Sequence, residues 1–138
     1  MNVLFLCASN VFRSQMAETF FNEYSTKNTA ESAALIRPQD KMHKLIIRAM
    51  KEENFDITNN RSKKVSADMI KRADMVILMS PDLKKCLEEF NIAKTILIEI
   101  WQIPDVIAKE TDEHLYQNFV KARNIIKEKV KELVKKID

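Results

Sequence analysis

The chain has 138 residues, 46% of them apolar and 31% charged, a composition that excludes a disordered segment and sets the expectation of a single domain, residues 1–138, around one core. Twenty-three Lys and Arg against 20 Asp and Glu leave a net charge of +3, too small and too evenly spread for a nucleic-acid footprint. The Lys-rich end from Lys127 to Lys136 alternates with Glu and apolar residues, as a solvated helix face does.

Lys94, Glu99 and Asp105 interrupt the most apolar stretches well short of the roughly 18 residues of a membrane span. The start, Met1-Asn2-Val3-Leu4, lacks the basic leader and small-residue cleavage site of a signal peptide, and two cysteines are too few for a disulfide framework. These features set the expectation of a soluble, cytoplasmic monomer that engages neither membrane nor nucleic acid. Glycine is absent. Any position at positive φ must then be filled by Asn, Asp or a strained residue, and glycine-rich nucleotide fingerprints are excluded.

In chain order, Val3 to Leu6 is a short, continuous apolar run without alternation, the pattern of a strand covered on both faces. Met16, Phe20 and Phe21 follow at helical spacing with Ala17 on the same face. A weak strand is expected around Glu31 to Ala34. Met42, Leu45, Ile46, Ala49 and Met50 then repeat at i, i+3, i+4, i+7 and i+8, a helix. Residues Asp56 to Ser62 are crowded with turn formers, and Ser66 is placed to cap a short helix ending near Arg72. Met75 to Met79 forms the next buried strand. Ser80-Pro81 supplies an N-cap and a first-turn proline for a helix through about Phe90. Thr95 to Ile100 is a fourth strand. From Thr111-Asp112-Glu113 onward, Leu115, Phe119, Ala122, Ile126, Val130, Leu133 and Ile137 line one face of a long amphipathic helix.

Strands alternating with helices across short connections predict an α/β fold: a parallel sheet with right-handed crossovers and helices on both faces. Ligands of such sheets sit beyond the carboxyl ends of the strands, near the point where strand order reverses. The loop after the first strand, Cys7-Ala8-Ser9-Asn10-Val11-Phe12-Arg13-Ser14, is therefore the first place to look. A five-residue loop feeding a helix N-terminus can turn its backbone N–H groups inward as a nest, with the positive end of the helix dipole behind it. A thiol there, beside an arginine, is held as the nucleophilic thiolate. Arg13 has a planar fork able to hold two oxygens of a tetrahedral anion, which lysine could not imitate. Ser14 can donate to the Cys7 sulfur and help it leave in a second step. Asn10 can accept a left-handed backbone and brace the loop through its amide.

Val3-Leu4-Phe5-Leu6-Cys7 with Asn10, Arg13, Ser14, Met16, Ala17 and Glu18 resembles the low-molecular-weight protein tyrosine phosphatase superfamily, which also contains the thioredoxin-coupled arsenate reductases. Further likenesses lie at Glu31-Ser32-Ala33, at Ala49 to Ile57, at Ala73 to Ile77, and at Trp101-Gln102-Ile103-Pro104-Asp105. The resemblance implies a three-layer domain with a four-stranded parallel sheet and a phosphate-binding loop made of Ala8, Ser9, Asn10, Val11, Phe12, Arg13 and Ser14. It also implies catalysis by Cys7 and Arg13, with Asp105 as proton donor. A carboxylic acid in that position eases departure of an alkoxide or phenoxide, and its carboxylate can then activate water. No metal or organic cofactor is expected, and the substrate would be a phosphorylated protein, a small phosphomonoester or arsenate.

Several positions depart from the family pattern. Ser9 stands where glycine is usual and Phe12 where many phosphatases carry a second loop cysteine, so a vicinal disulfide cannot protect Cys7. Asp105 is followed by Val106, Ile107 and Ala108, with no aromatic wall for a phosphotyrosine ring. Gln15 replaces a usual proline and brings the string closer to the reductases, whose relay uses two further thiols. Met79 and Cys86 occupy those places, leaving Cys86 as a possible redox residue. Three readings follow: a phosphatase working through a phosphocysteine, ranked first; an arsenate reductase on the same loop; and a binder of phosphorylated partners without turnover. His43 and His114 have no partners at metal-ligand spacing and are read as surface or capping residues.

Overall fold

The computed structural model describes residues 1–106 and 111–138. Four parallel strands, β1 (Asn2–Cys7), β2 (Thr29–Ala34), β3 (Met75–Leu78) and β4 (Leu97–Ile100), form one sheet in the order β2-β1-β3-β4. The helices are α1 (Arg13–Tyr24), α2 (Lys44–Lys51), α3 (Ala67–Arg72), α4 (Lys84–Leu87) and α5 (Asp112–Ile137). Together they make the three-layer α/β arrangement expected of the sequence. Among the described residues no helix is long and apolar enough to cross a membrane.

The unbroken apolar run of β1 is explained by its place at the centre: Val3, Leu4, Phe5 and Leu6 have no exposed surface. Phe5 meets Phe21 of α1 edge-on at 6.0 Å and the Trp101 ring at 5.6 Å. Helix α1 packs on β1, β2 and α5, while α2 also rests on α5. The register pairs Cys7 with Ala34, Leu6 with Leu78, and Leu78 with Ile100, so the four strands end along one edge. After β2 the chain passes to the other side of β1. The first strand thus lies at the reversal of strand order, and its terminal residue is Cys7.

Local capping follows the side chains. Ser66 accepts the N–H of Met69 at the start of α3, and Thr111 accepts that of His114 at the start of α5. Two expectations need correction. The segment after Ser80 is not a helix to Phe90 but a 3₁₀ turn, Pro81–Leu83, followed by the single turn of α4. The Ser80 hydroxyl is taken up by the Asp82 carboxylate rather than by a backbone N–H, so the N-cap that would start a full helix is missing. The fourth strand begins at Leu97, not Thr95, because Ile96 closes a turn by donating its N–H to the Ala93 carbonyl at 3.1 Å. It is an edge strand with Leu97, Ile98 and Ile100 exposed.

Glu18 sits on α1 against β2, where it accepts the Ser32 hydroxyl at 3.1 Å and lies 4.0 Å from the Lys63 ammonium. Burial pushes its carboxyl above the ordinary range, outweighing the opposing effects of Lys63 and Ser32. A carboxyl whose folded pKa is raised contributes stability while protonated and loses it as pH rises through the folded value. The stability advantage of Glu18→Gln over wild type should therefore grow between about pH 4 and pH 7. Urea unfolding at both pH values checks this, and a constant or shrinking difference would contradict it.

Candidate active site

The turn from β1 into α1 is built around Asn10. With no glycine to use, the chain places Asn10 at φ 57°, a left-handed geometry that Asn tolerates better than most residues. The residue is fully buried and its side-chain amide is fully occupied. It donates to the hydroxyls of Ser14 and Ser32, each at 2.9 Å, and accepts from the Lys63 N–H at 3.0 Å and the Gln15 amide at 3.4 Å. The Lys63 N–H fixes the orientation, since a flipped amide would set donor against donor.

This fixes the proton of Ser14. Its oxygen accepts from Asn10, so its own O–H is left for the Cys7 sulfur, 2.8 Å away. The backbone N–H of Asn10 also donates to that sulfur, at 3.3 Å. Two hydrogen-bond donors thus converge on the one sulfur. The N-terminus of α1 has no side-chain cap, and its first-turn N–H groups and dipole are open to an anion above the loop.

Arg13, the first residue of α1, is 5% exposed. Its Nη1 donates to the carbonyls of Ile103 at 3.2 Å and Met79 at 3.4 Å, and its Nη2 lies 3.7 Å from the Asp105 carboxylate. The two carbonyls come from the ends of β3 and of the β4 connection, so the sheet edge itself aims the guanidinium. Asp105 is well exposed at the mouth of the site, and its Oδ1 accepts the Val106 N–H at 2.9 Å.

The residues that the sequence placed together meet in a cleft of about 250 Å³ lined by Cys7, Ala8, Ser9, Val11, Phe12, Arg13 and Asp105. Asn10 and Ser14 are fully buried beneath it. Cys86, on α4, is part-buried and does not line the cleft. Of the residues following Asp105, Val106 lines the cleft, while Ile107 and Ala108 lie outside the described residues.

Four lining residues escaped the sequence reading: Gln39, His43, Ile46 and Phe119. Phe119 brings an aromatic ring to the cleft from α5 rather than from the Asp105 loop. It meets Phe12 edge-on at 4.8 Å. His43 is indeed a cap, its Nδ1 accepting the Leu45 N–H at the start of α2, but it also borders the cleft. The segment Asn60 to Lys63 buttresses the loop from outside. Gln15 holds it by donating to the Arg61 carbonyl and accepting from the Asn60 amide, each at 3.1 Å, and the Ser62 hydroxyl donates to the Ser9 carbonyl at 2.8 Å.

Known proteins resemble the chain in sequence and in fold. The family model of low molecular weight phosphotyrosine protein phosphatases matches residues 2–138. An arsenate reductase of Bacillus cereus is 30% identical over 133 residues, covering 94% of this chain and 90% of the relative. A low molecular weight protein-tyrosine-phosphatase of Acinetobacter johnsonii is also 30% identical, over 114 residues, covering 75% of this chain and 78% of the relative. In fold, the chain superposes on the low molecular weight protein tyrosine phosphatase of T. tengcongensis with a TM-score of 0.86, at 24% identity and 99% coverage of both chains. The chain belongs to the low molecular weight phosphotyrosine protein phosphatase family, within the superfamily of cysteine-dependent phosphatases and arsenate reductases.

Proposed function

We propose that this enzyme hydrolyses phosphomonoesters, of the phosphotyrosine or small aryl phosphate class, through a phosphocysteine on Cys7. The observation that carries the reading is the convergence of the Ser14 and Asn10 donors on the Cys7 sulfur, in a cleft it shares with Arg13 and Asp105. The thiolate attacks phosphorus, the ester P–O bond breaks opposite it, and Asp105 gives its proton to the departing oxygen. Arg13 and the loop N–H groups hold the three remaining oxygens as charge develops on them. In the second step Asp105 takes a proton from water, the water oxygen attacks phosphorus, and the S–P bond breaks. Ser14 then returns its hydrogen bond to the sulfur as the thiolate re-forms. Phe12, Phe119, Ile46 and Val106 give the leaving group an apolar surround, which favours an aryl group over a sugar.

Reduction of arsenate on the same loop is the second reading, favoured by Gln15 and by the similarity to the Bacillus cereus reductase. Its relay needs a thiol able to attack a Cys7-bound arsenic. Met79 fills one family position with a fully buried thioether, and the second cysteine of the chain, Cys86, lies outside the cleft. Both facts support hydrolysis over reduction. A binder of phosphorylated partners without turnover would require neither a donor-supported thiolate nor an acid at the cleft mouth.

Cys7→Ser should abolish turnover of p-nitrophenyl phosphate while the protein keeps its fold by circular dichroism; a variant as active as wild type would overturn the phosphocysteine route. Asp105→Asn should lower kcat/KM, which reports formation of the phosphocysteine, by about 10²–10⁴ for phenyl phosphate and much less for p-nitrophenyl phosphate, whose anion leaves without a proton. An equal loss on both esters would remove Asp105 from the role of acid. Cys86→Ser should leave phosphatase rates unchanged. If thiol-dependent arsenate consumption outruns phosphatase turnover and collapses in Cys86→Ser, the reductase reading prevails.

A further inference from the structure

The cleft contains one titratable side chain that the hydrolytic steps leave unused. Among its described lining residues Cys7, Arg13 and Asp105 are engaged in those steps, whereas His43 is not. Its ring is fixed twice. The Nδ1 atom accepts the Leu45 N–H at 3.0 Å, and the ring leans on Phe119 at 5.7 Å between centroids, tilted by 52°. A neutral imidazole whose Nδ1 is an acceptor carries its proton on Nε2. That N–H has no acceptor among the described residues.

Geometry assigns the space around it. In-line attack puts the leaving group on the far side of phosphorus from the Cys7 sulfur. The loop and Arg13 account for the phosphoryl oxygens, and Asp105 for the bridging oxygen. The remaining wall, made of Ile46, Phe119, Val106, Gln39 and His43, surrounds the rest of the leaving group. Of its two polar members, Gln39 has a long, freely rotating amide. His43, although exposed, is tethered by its cap and by Phe119, so its donor is offered at a lower ordering cost.

We propose that His43 is a specificity-determining residue whose Nε2–H donates to an acceptor on the leaving group beyond the bridging oxygen, selecting a phosphorylated residue within a polypeptide over a free aryl phosphate. Main-chain carbonyls near the phosphorylated side chain provide that acceptor, while Phe119 offers a flat wall to the ring. The inference rests on the phosphomonoester reading of the site, but it is tested by binding alone.

Asparagine separates the two roles of this histidine. In His43→Asn the side-chain oxygen replaces Nδ1 as the α2 cap, a position Asn fills well, and the distal N–H is lost. The probes are inorganic phosphate, benzylphosphonate, and a short peptide containing phosphonomethyl-phenylalanine, titrated calorimetrically into wild type and variant. His43→Asn should melt with wild type, bind phosphate and benzylphosphonate as before, and lose affinity for the peptide by about threefold to tenfold, the worth of one net hydrogen bond. The proposal is overturned if the peptide binds both proteins equally, if wild type prefers the peptide no more than benzylphosphonate, or if all three probes weaken together. Failure of the hydrolytic reading would show differently, as a wild type that binds the peptide phosphonate yet leaves the matching phosphopeptide intact.

Discussion

One buried amide orders the whole loop between β1 and α1. Each of the four hydrogen-bonding positions of the Asn10 side chain is used, two as donor and two as acceptor, and a buried polar group left short would cost about 1–3 kcal/mol. Because Asn10 donates to both Ser14 and Ser32, each hydroxyl must send its own proton the other way. Ser14 points its proton at Cys7 and Ser32 sends its proton to Glu18. A single side chain therefore sets the direction of a hydrogen-bond chain running from a carboxylate on α1 to the Cys7 sulfur. The same residue supplies the left-handed backbone that turns the loop, and without glycine no other residue of the loop is as well suited to do so.

The second constraint is the sheet edge. A guanidinium that is only 5% exposed must be paired or solvated by fixed dipoles, since desolvating a lone charge costs several kcal/mol. Arg13 meets this need with two carbonyls on one nitrogen and the Asp105 carboxylate near another. Those partners sit where they do because β1, β3 and β4 end in register and because the Ile103 N–H is itself tied to the Met79 carbonyl at 3.2 Å. Asp105 satisfies the cation only in part, at 3.7 Å and from an exposed position. A tetrahedral dianion between the loop and Arg13 would complete the neutralisation. Binding of such an anion would thus stabilise the buried cation.

The parts of the site that sequence revealed are the parts that are local in sequence. Cys7, Asn10, Arg13 and Ser14 fall within eight residues between an apolar run and a helical pattern, so strand end, turn and helix start could be read as one unit. Asp105 was reached through the family likeness, not through spacing. His43 is the N-cap of α2 that the sequence suggests, and a capping role carries no sign that the same ring borders a cleft. Phe119 was hidden for another reason, since a residue at the rim of a cleft on an amphipathic helix has the same periodicity as one in the core. Phe119 is 5% exposed and fits the buried stripe of α5 equally well in either role. The overlong helix after Ser80 failed differently. Ser-Pro-Asp is a sound N-terminal signal, but here the Asp82 carboxylate captures the hydroxyl that the signal assigns to the backbone.

The replacement of a loop thiol by Phe12 has a structural consequence as well as a chemical one. Phe12 is the N-cap residue of α1, and its ring meets Phe119 edge-on while its carbonyl accepts the Met16 N–H at 3.1 Å. The anion loop is consequently clamped on both flanks, by the Asn60 to Lys63 segment through Gln15, Asn10 and Ser9, and by α5 through Phe12. A cradle made of backbone N–H groups gains transition-state stabilisation only to the degree that those groups are already aimed when the substrate arrives. In a loop without glycine the turn is also less free to sample other shapes. Where a loop thiol could have trapped an oxidised Cys7, Phe12 makes an aromatic contact instead, and that contact joins the β1–α1 loop to the α5 wall of the cleft.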